Sequence, residues 1–374
     1  MFSYWERESF FHYGHIVVGA GITGLSTAIE LRRLYPADRI LVLERGLLPS
    51  GASTRNAGFA CMGSVTELLD DLRTMSESEV THLFAERKKG LEILRKRLGD
   101  ERIGYAANGS YELIDPDAKE ALNKIDYLNE LLLRVNNQPS FRLANEKIKS
   151  FGLSEQYTEA LIENTCEGEL HTGKMMRALA DYASEQGIEI KTGAEVLRYE
   201  EKSNEVALEL ANRMLLKCRT LNICTNAFTK KLLPDVDVTP GRGQVLITEP
   251  INGLKLKGVF HMDEGYYYFR EIDGRVLIGG GRNMDFEGET TTDMMVTEHI
   301  QNSLEEKLRE IILPGVAFEV AQRWAGIMAF GATKQPVVKA FSDKVFGAFR
   351  MGGMGVALGS RVAQQLAELH QHQQ

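Results

Sequence analysis

Ile16-Val17-Val18-Gly19-Ala20-Gly21-Ile22-Thr23-Gly24 is the stretch that most constrains this chain. A short apolar run leads into three glycines, and an amphipathic stretch follows. A second apolar run, Ile40-Leu41-Val42-Leu43, ends on the acid Glu44. This is the order strand, tight turn, helix, strand. The first glycine turns the chain, the second lets backbone approach a pyrophosphate, and the third lets helix pack closely on strand. The helix start offers unpaired N–H groups and a positive dipole end to phosphate. Glu44, twenty residues after Gly24, stands where a carboxylate would bind the ribose hydroxyls of an adenosine half. It argues against a phosphate on the 2′ position. The glycine pattern alone is a weak signal. With a strand before it, a helix after it and the acid at this spacing, it reads as a dinucleotide site. FAD and NAD both satisfy it.

The chain has 374 residues, room for two domains, one of them built from separated pieces. Its apolar fraction of 43% and charged fraction of 26% are those of a globular protein with a sizeable core. A formal charge of -8 speaks against nucleic acid or an anionic membrane as the main partner. Cys61, Cys166, Cys218 and Cys224 are widely spread and form no Cys-x-x-Cys pair, which predicts a reducing compartment and no metal cluster. The first fourteen residues carry no basic, apolar leader and read as a polar-aromatic lead-in. No apolar run approaches the ~20 residues of a membrane span. A cytoplasmic enzyme with a dissolved substrate is the expectation.

Further along, Ser50-Gly51-Ala52-Ser53-Thr54-Arg55-Asn56-Ala57-Gly58 is a long loop of small residues, a common form for functional loops. Ser64 with Glu67, and Ser76 with Glu79, form capping boxes for two helices. The second carries Val80, Leu83, Phe84, Leu91, Leu94 and Leu98 on one face. A helix starting at Thr172, then β-rich sequence from Gly241 to Gly281, then a helix from Thr297 to Ile312 are predicted. Val259–Met262, Tyr266–Arg270, Val276–Gly280 and Val345–Phe349 read as strands. Gly352-Gly353-Met354-Gly355 opens a last helix, and the tail from His370 reads as frayed. The predicted fold class is α/β with two domains. A discontinuous dinucleotide domain takes 1–100, 160–240 and 340–374. A β-rich substrate domain takes 101–159 and 241–339.

Taken together, the glycine turn with Glu44-Arg45, the loop from Ser50 to Gly58, and Gly352 through Ala357 and Leu358 resemble one family. This is the FAD-dependent oxidoreductase superfamily of D-amino acid oxidase, glycine oxidase and sarcosine oxidase. The resemblance implies a Rossmann-like FAD domain under a β-rich substrate domain. It implies cofactor contacts from Gly19, Ala20, Gly21, Ile22, Thr23, Gly24, Glu44 and Arg45. From the loop it adds Ser53, Thr54, Arg55, Asn56, Ala57 and Gly58. From the middle it adds Val196 and the turn Thr225-Asn226-Ala227, where Ala227 replaces a usual glycine. From the last turn it adds Gly352, Gly353, Met354, Gly355, Val356 and Ala357. Small residues let backbone amides reach a cofactor that is held along its whole length. The helix dipole after Gly355 suits negative charge on a reduced flavin. Relatives with a covalent flavin attach it in the C-terminal third, where this chain has no cysteine, so noncovalent FAD is expected.

The same resemblance places a substrate between the flavin and the β-rich domain. Strand alternation puts Tyr266, Tyr268 and Arg270 on one face and Tyr267 and Phe269 on the other. Arg323 is the candidate carboxylate clamp, and Arg282 is a weaker candidate of the same kind. The family's usual arginine after the Trp-x-Gly turn is absent, because Ile327-Met328-Ala329 follows Gly326. Lys334 is a candidate for assisting oxygen chemistry, as a lysine does in sarcosine oxidases. The implied reaction is hydride transfer from a small amine or amino acid to flavin N5, giving an imine that hydrolyses. Oxygen or another acceptor reoxidises the flavin. Two other readings stay open: a hydroxy-acid dehydrogenase and a non-catalytic FAD-binding assembly protein.

Overall fold

A computed structural model describes residues 2–371. The elements that build the site are, in chain order, β1 (His12–Val18), α1 (Ile22–Leu34), β2 (Ile40–Leu43), α2 (Glu77–Leu98), β3 (Leu215–Ile223), β4 (Thr239–Thr248), β5 (Val259–Met262), β6 (Tyr267–Ile272), β7 (Arg275–Gly280), α3 (Glu298–Lys307), β8 (Val320–Phe330) and α4 (Gly355–Gln371).

The first sheet has β1 at its centre. β2 lies on one side with Glu189–Lys191 beyond it. β3 lies on the other, followed by Val345–Phe349 and Val337–Ala340. β1 runs parallel to β2 and β3, and Val18 stands level with Leu43 and Ile223. Three strands therefore end at one height, and the residues after them, Gly19, Glu44 and Cys224, meet at the carboxyl edge. That edge is where open parallel sheets bind ligands. The strands are continuous apolar runs because helices cover the sheet. α1, α2 and α4 pack together, and Gly90 of α2 faces Ala357 so closely that a Cβ would lie 2.0 Å from its carbonyl oxygen.

The second sheet has the order β8, β4, β7, β6, β5, Ser110–Ile114, Ala160–Asn164, Phe141–Leu143. One face packs on α3 through Leu246, Tyr267, Phe269, Ile278, Ile300 and Leu304. The other face turns toward the first sheet. The fold is thus the mixed α/β form with a Rossmann-like sheet and a β-rich sheet. Ala160–Asn164 pairs with Ser110–Ile114, so the second sheet takes up a segment that the sequence division placed with the first.

Both predicted capping boxes are present. A third was missed: Ser3 and Glu6 cap each other, so residues Tyr4–Phe10 form a helix rather than an irregular lead-in. α4 continues through His370, which is buried against Phe346 and bonded to Asn222. The predicted fraying from His370 is therefore corrected at His370 and Gln371, and residues 372–374 lie outside the described residues. Among the described residues no helix is long and apolar enough to cross a membrane.

Candidate active site

One cavity of about 640 Å³ is lined by both sheets. Its first end is the carboxyl edge of β1, β2 and β3. Gly19 adopts φ +106°, and a Cβ there would lie 2.6 Å from the Cys224 carbonyl oxygen. Gly21 starts α1 with no side-chain cap, and a Cβ on it would meet Ser53 Oγ at 2.8 Å. The Ile22 N–H donates to that Ser53 Oγ at 3.0 Å, which ties the small-residue loop to the helix start. Glu44 is buried, and its carboxylate accepts from the Ala20 N–H at 3.1 Å and the Gly46 N–H at 3.0 Å. Arg45 stacks on Phe228 at 3.7 Å. Val196, Thr225, Asn226 and Ala227 complete this end.

The loop supplies Ser53, Arg55, Asn56 and Ala57 to the wall. Arg55 donates to the carbonyls of Ser50 (3.0 Å) and Ala325 (2.8 Å), and Trp324 Nε1 donates to the Arg55 carbonyl at 3.0 Å. Asn56 is spent on the loop itself: its amide donates to the Ser53 carbonyl, and its oxygen accepts from Gly58 N–H and Thr172 Oγ1. Gly352, Gly353, Met354, Gly355 and Val356 bring in the start of α4, a second helix N-terminus on the same cavity. Ala20, Gly24, Thr54, Gly58 and Ala357 stand behind this lining; their parts are in holding the turn, the loop and the helix contact. Cys61 Sγ lies 3.7 Å from Met354 Sδ. Burial raises the thiols of Cys61 and Cys224, the latter to about 12, so both stay protonated.

At the other end, register decides which residues face inward. Val245, Gly279, Tyr268 and His261 stand level across β4, β7, β6 and β5 and share the cavity face. Tyr266 and Tyr268 line the cavity; Tyr267 points to the opposite side, its hydroxyl on Ser303. Burial pushes the Tyr268 phenol up to about 12. Lys334 lines the wall held by Asp70 at 3.1 Å and by Asp71. Burial works against its charge, but the two carboxylates outweigh it and raise its pKa.

Two predicted substrate residues are corrected. Arg323 is not in the cavity. It stands opposite Leu246, on the α3 face, and bonds Gln301 at 2.7 Å and Glu305 at 2.6 Å. Arg270 shares the face of Tyr268 but lies beyond the lining. It donates to the carbonyls of Ala57, Gly58 and Leu170 and pairs with Glu169 at 3.2 Å. Both charges are buried, so removing one leaves the other uncompensated. Arg270→Met is expected to cost about 3 kcal/mol of stability. Urea unfolding measures it, and FAD content should fall with it because the loop loses its anchor.

His261 was missed, since no sequence motif contains it. Its hairpin partner Tyr268 was the available signal. The ring lines the cavity, is buried, meets Phe59 edge-on at 5.2 Å, and leaves Nε2 without a hydrogen-bond partner.

A sequence model of the FAD dependent oxidoreductase (DAO) family matches residues 15–369. The chain belongs to this family. It is 24% identical over 372 residues to the probable oxidoreductase OrdL of Rhizobium meliloti (strain 1021), spanning 94% of this chain and 82% of that protein. Among solved structures, it is similar in fold to L-proline dehydrogenase from P. horikoshii, with TM-score 0.78, 18% identity, and coverage of 96% and 93% of the two chains. Glycine oxidase from Geobacillus kaustophilus gives TM-score 0.78, 19% identity and coverage of 97% and 95%.

Membership in the DAO family makes FAD the cofactor, and the cavity fits it. Gly21 lines the cavity without a side chain, and Ser53 Oγ already occupies its Cβ direction at 2.8 Å. Two helix starts converge there, and helix starts carry unpaired N–H groups suited to phosphate and to reduced-ring charge. Glu44 is held as a buried acceptor at the strand end, as a ribose site requires.

Proposed function

We propose that this DAO-family chain oxidises a C–N bond of a small primary or secondary amine or amino acid, with FAD bound noncovalently. One observation carries the reading: a single cavity joins the dinucleotide turn to the aromatic face of the second sheet. The first sheet with its helices would hold the cofactor, and the second sheet the substrate. The names of the two solved relatives, a glycine oxidase and an L-proline dehydrogenase, support the C–N class. The chemistry FAD supplies is uptake of the hydride from the carbon that bears nitrogen.

The chain's own residues do the rest. The Gly19–Gly24 turn, Glu44 and the start of α4 orient the cofactor. Phe59, Tyr268 and Phe330 give the substrate end an aromatic wall. His261 lines this end with its ring, and its Nε2 is buried facing Glu167 Oε2 at 3.8 Å. The protonated thiols of Cys61 and Cys224 are poor nucleophiles, which supports a noncovalent cofactor.

The test is an anaerobic panel of amines and amino acids, followed at the visible absorbance of the bound flavin. Bleaching by at least one amine, with ammonia or a free amine released, is expected. Acid precipitation should release the flavin into the supernatant. Bleaching by hydroxy acids alone, or by nothing, would overturn the proposal.

A further inference from the structure

A second cavity, of about 520 Å³, lies behind the second sheet. Tyr111, Glu163 and Arg142 line it and stand level across Ser110–Ile114, Ala160–Asn164 and Phe141–Leu143. Glu112, next to Tyr111, points the other way, because side chains alternate along a strand. It stands level with His261, on the face of the first cavity. The sheet therefore separates the two cavities. Exposed Arg142, Ser150 and Lys257 belong to the lining of the second, so it opens to water.

One pair of side chains spans this partition. His261 lines the first cavity and Glu167 lines the second. His261 Nε2 lies 3.8 Å from Glu167 Oε2, and both side chains are more than nine-tenths buried. The carboxylate is fixed by donors: Oε1 accepts from the Met62 and Gly63 N–H groups at 2.5 and 2.8 Å, and Oε2 accepts from Ser110 Oγ at 2.7 Å. His261 Nε2 has no hydrogen-bond partner among the described residues. It is turned to Glu167, which leaves Nδ1 for the first cavity. Two other titratable groups face the ring, Tyr268 level with it on β6 and Glu112 level with it on the other side, while Phe59 meets it edge-on. Glu112 is taken by the start of the helix at Val65–Asp71, through Ser64 Oγ at 2.8 Å and the Val65 N–H at 2.9 Å. Tyr268, raised by burial, keeps its proton. Glu167 is thus the group placed to exchange a proton with the ring.

A carboxylate behind one nitrogen of a histidine sets the tautomer, favours the charged ring and leaves the other nitrogen as a base. At 3.8 Å the contact is longer than a hydrogen bond, and contacts of this kind tighten when substrate binds. An amine carries a proton in neutral water, and its nitrogen needs a lone pair before the adjacent carbon can give up hydride. We propose that His261 takes this proton at Nδ1, and that Glu167 passes the Nε2 proton of the ring on to water in the second cavity. The ammonium N–H bond breaks, its electron pair stays on the amine nitrogen, and an N–H bond forms at Nδ1. The Nε2–H bond breaks as an O–H bond forms on Glu167, and water takes that proton. Nothing is oxidised or reduced in these steps. Exchange of the Nδ1 proton with water after product release restores the starting tautomer. Glu167 acts through His261 and is a positioning residue. The assignment rests on the reading of the first cavity as an amine-oxidising site and deepens it.

The test has two arms, both on the FAD-loaded protein. The first needs no substrate. Nitrogen NMR of protein labelled in its histidines reads the tautomer and proton affinity of each ring, and His261→Gln identifies the signal of His261. The neutral ring is expected to carry its proton on Nε2. Glu167→Gln, which keeps Oε1 for Met62 and Gly63, is expected to weaken proton binding by His261 about tenfold or more. A neutral ring with its proton on Nδ1, or unchanged proton affinity in Glu167→Gln, overturns the assignment. Should Glu167→Gln lose FAD, the tautomer in the intact protein decides. The second arm is stopped-flow reduction of the flavin by the amine that bleaches it, followed from neutral to alkaline pH. His261→Gln is expected to slow reduction about 100-fold at neutral pH and to regain rate as the free amine loses its proton unaided. An equal loss at every pH would be the mark of a structural role and overturns the assignment. Bleaching with that flat ratio sinks the base and spares the amine reading. A panel in which no amine bleaches the flavin sinks the amine reading and this use of the pair with it, whatever the tautomer.

Discussion

Gly24→Ala is expected to abolish FAD retention and to cost about 4 kcal/mol of stability or more. The reason is in the backbone. A Cβ at position 24 would lie 1.8 Å from the Gly19 carbonyl oxygen and 3.0 Å from its carbonyl carbon. Neither is the end of a flexible side chain, so the turn itself must open. Gly19 cannot yield readily: its N–H is bonded to Leu43 at 2.8 Å, and its φ of +106° is set by the approach to Cys224. Opening the turn separates β1 from α1 and moves Ala20, whose N–H holds Glu44. Cofactor and fold are lost together. Urea unfolding and the ratio of visible to ultraviolet absorbance measure the two effects. Ser26→Ala, two residues along the same helix, removes only a 3.4 Å hydroxyl contact to Ser360 and should leave both nearly unchanged. A Gly24→Ala protein that keeps its flavin and its urea midpoint would show that the turn is not the anchor described here.

Local physics wrote some of this molecule plainly. α1 was legible as a helix, because a glycine turn fixes its start and Pro36 limits its end. Val259–Met262 and Val345–Phe349 were legible because fully buried strands are short apolar runs. The loop at 50–58 announced itself by small residues, and it does line the cavity. What sequence could not settle is which of two faces looks inward. Alternation separates Arg323 from Trp324, but only the pairing of β8 with β4, and of β4 with α3, sends Arg323 outward. Arg270 was placed on the correct face. The carbonyls that capture it, at 57, 58 and 170, come from segments far along the chain. The helix at Tyr4–Phe10 was within reach: Ser3 and Glu6 carry the same signal that was read at Ser64 and Ser76.

Acid is expected to unfold the protein well above the range in which ordinary carboxylates titrate, through two buried histidines. His15 stacks on Tyr35 at 4.4 Å, and its ring nitrogens meet Thr220 at 2.7 Å and Asp38 at 3.0 Å. His370 stacks on Phe346 at 3.8 Å and bonds Asn222 at 2.8 Å. Burial lowers His15 to about 4, against the pull of Asp38, and lowers His370 to about 3, with His15 adding to the effect. Both folded values lie below the unfolded one, near 6.5. The unfolded chain therefore binds protons that the folded chain refuses. Stability is complete above about pH 6.5 and falls as pH drops toward 4, by up to roughly 1.4 kcal/mol per pH unit for each histidine. The loss reaches roughly 3 kcal/mol from each by pH 4. In the window from pH 6 to 5 the histidines act below their unfolded pKa, while buried Glu112, whose pKa burial raises, works in the opposite sense. Glu189 is held below its usual range, because Arg39 and Tyr13 outweigh its own burial, so it contributes only at lower pH. Urea midpoints across that window measure the slope. His370→Gln keeps a donor for Asn222 and removes one titrating group, so it should halve the histidines' share of the slope while lowering stability at pH 7. A slope unchanged by His370→Gln would mean that His370 does not carry the acid sensitivity, whatever its burial.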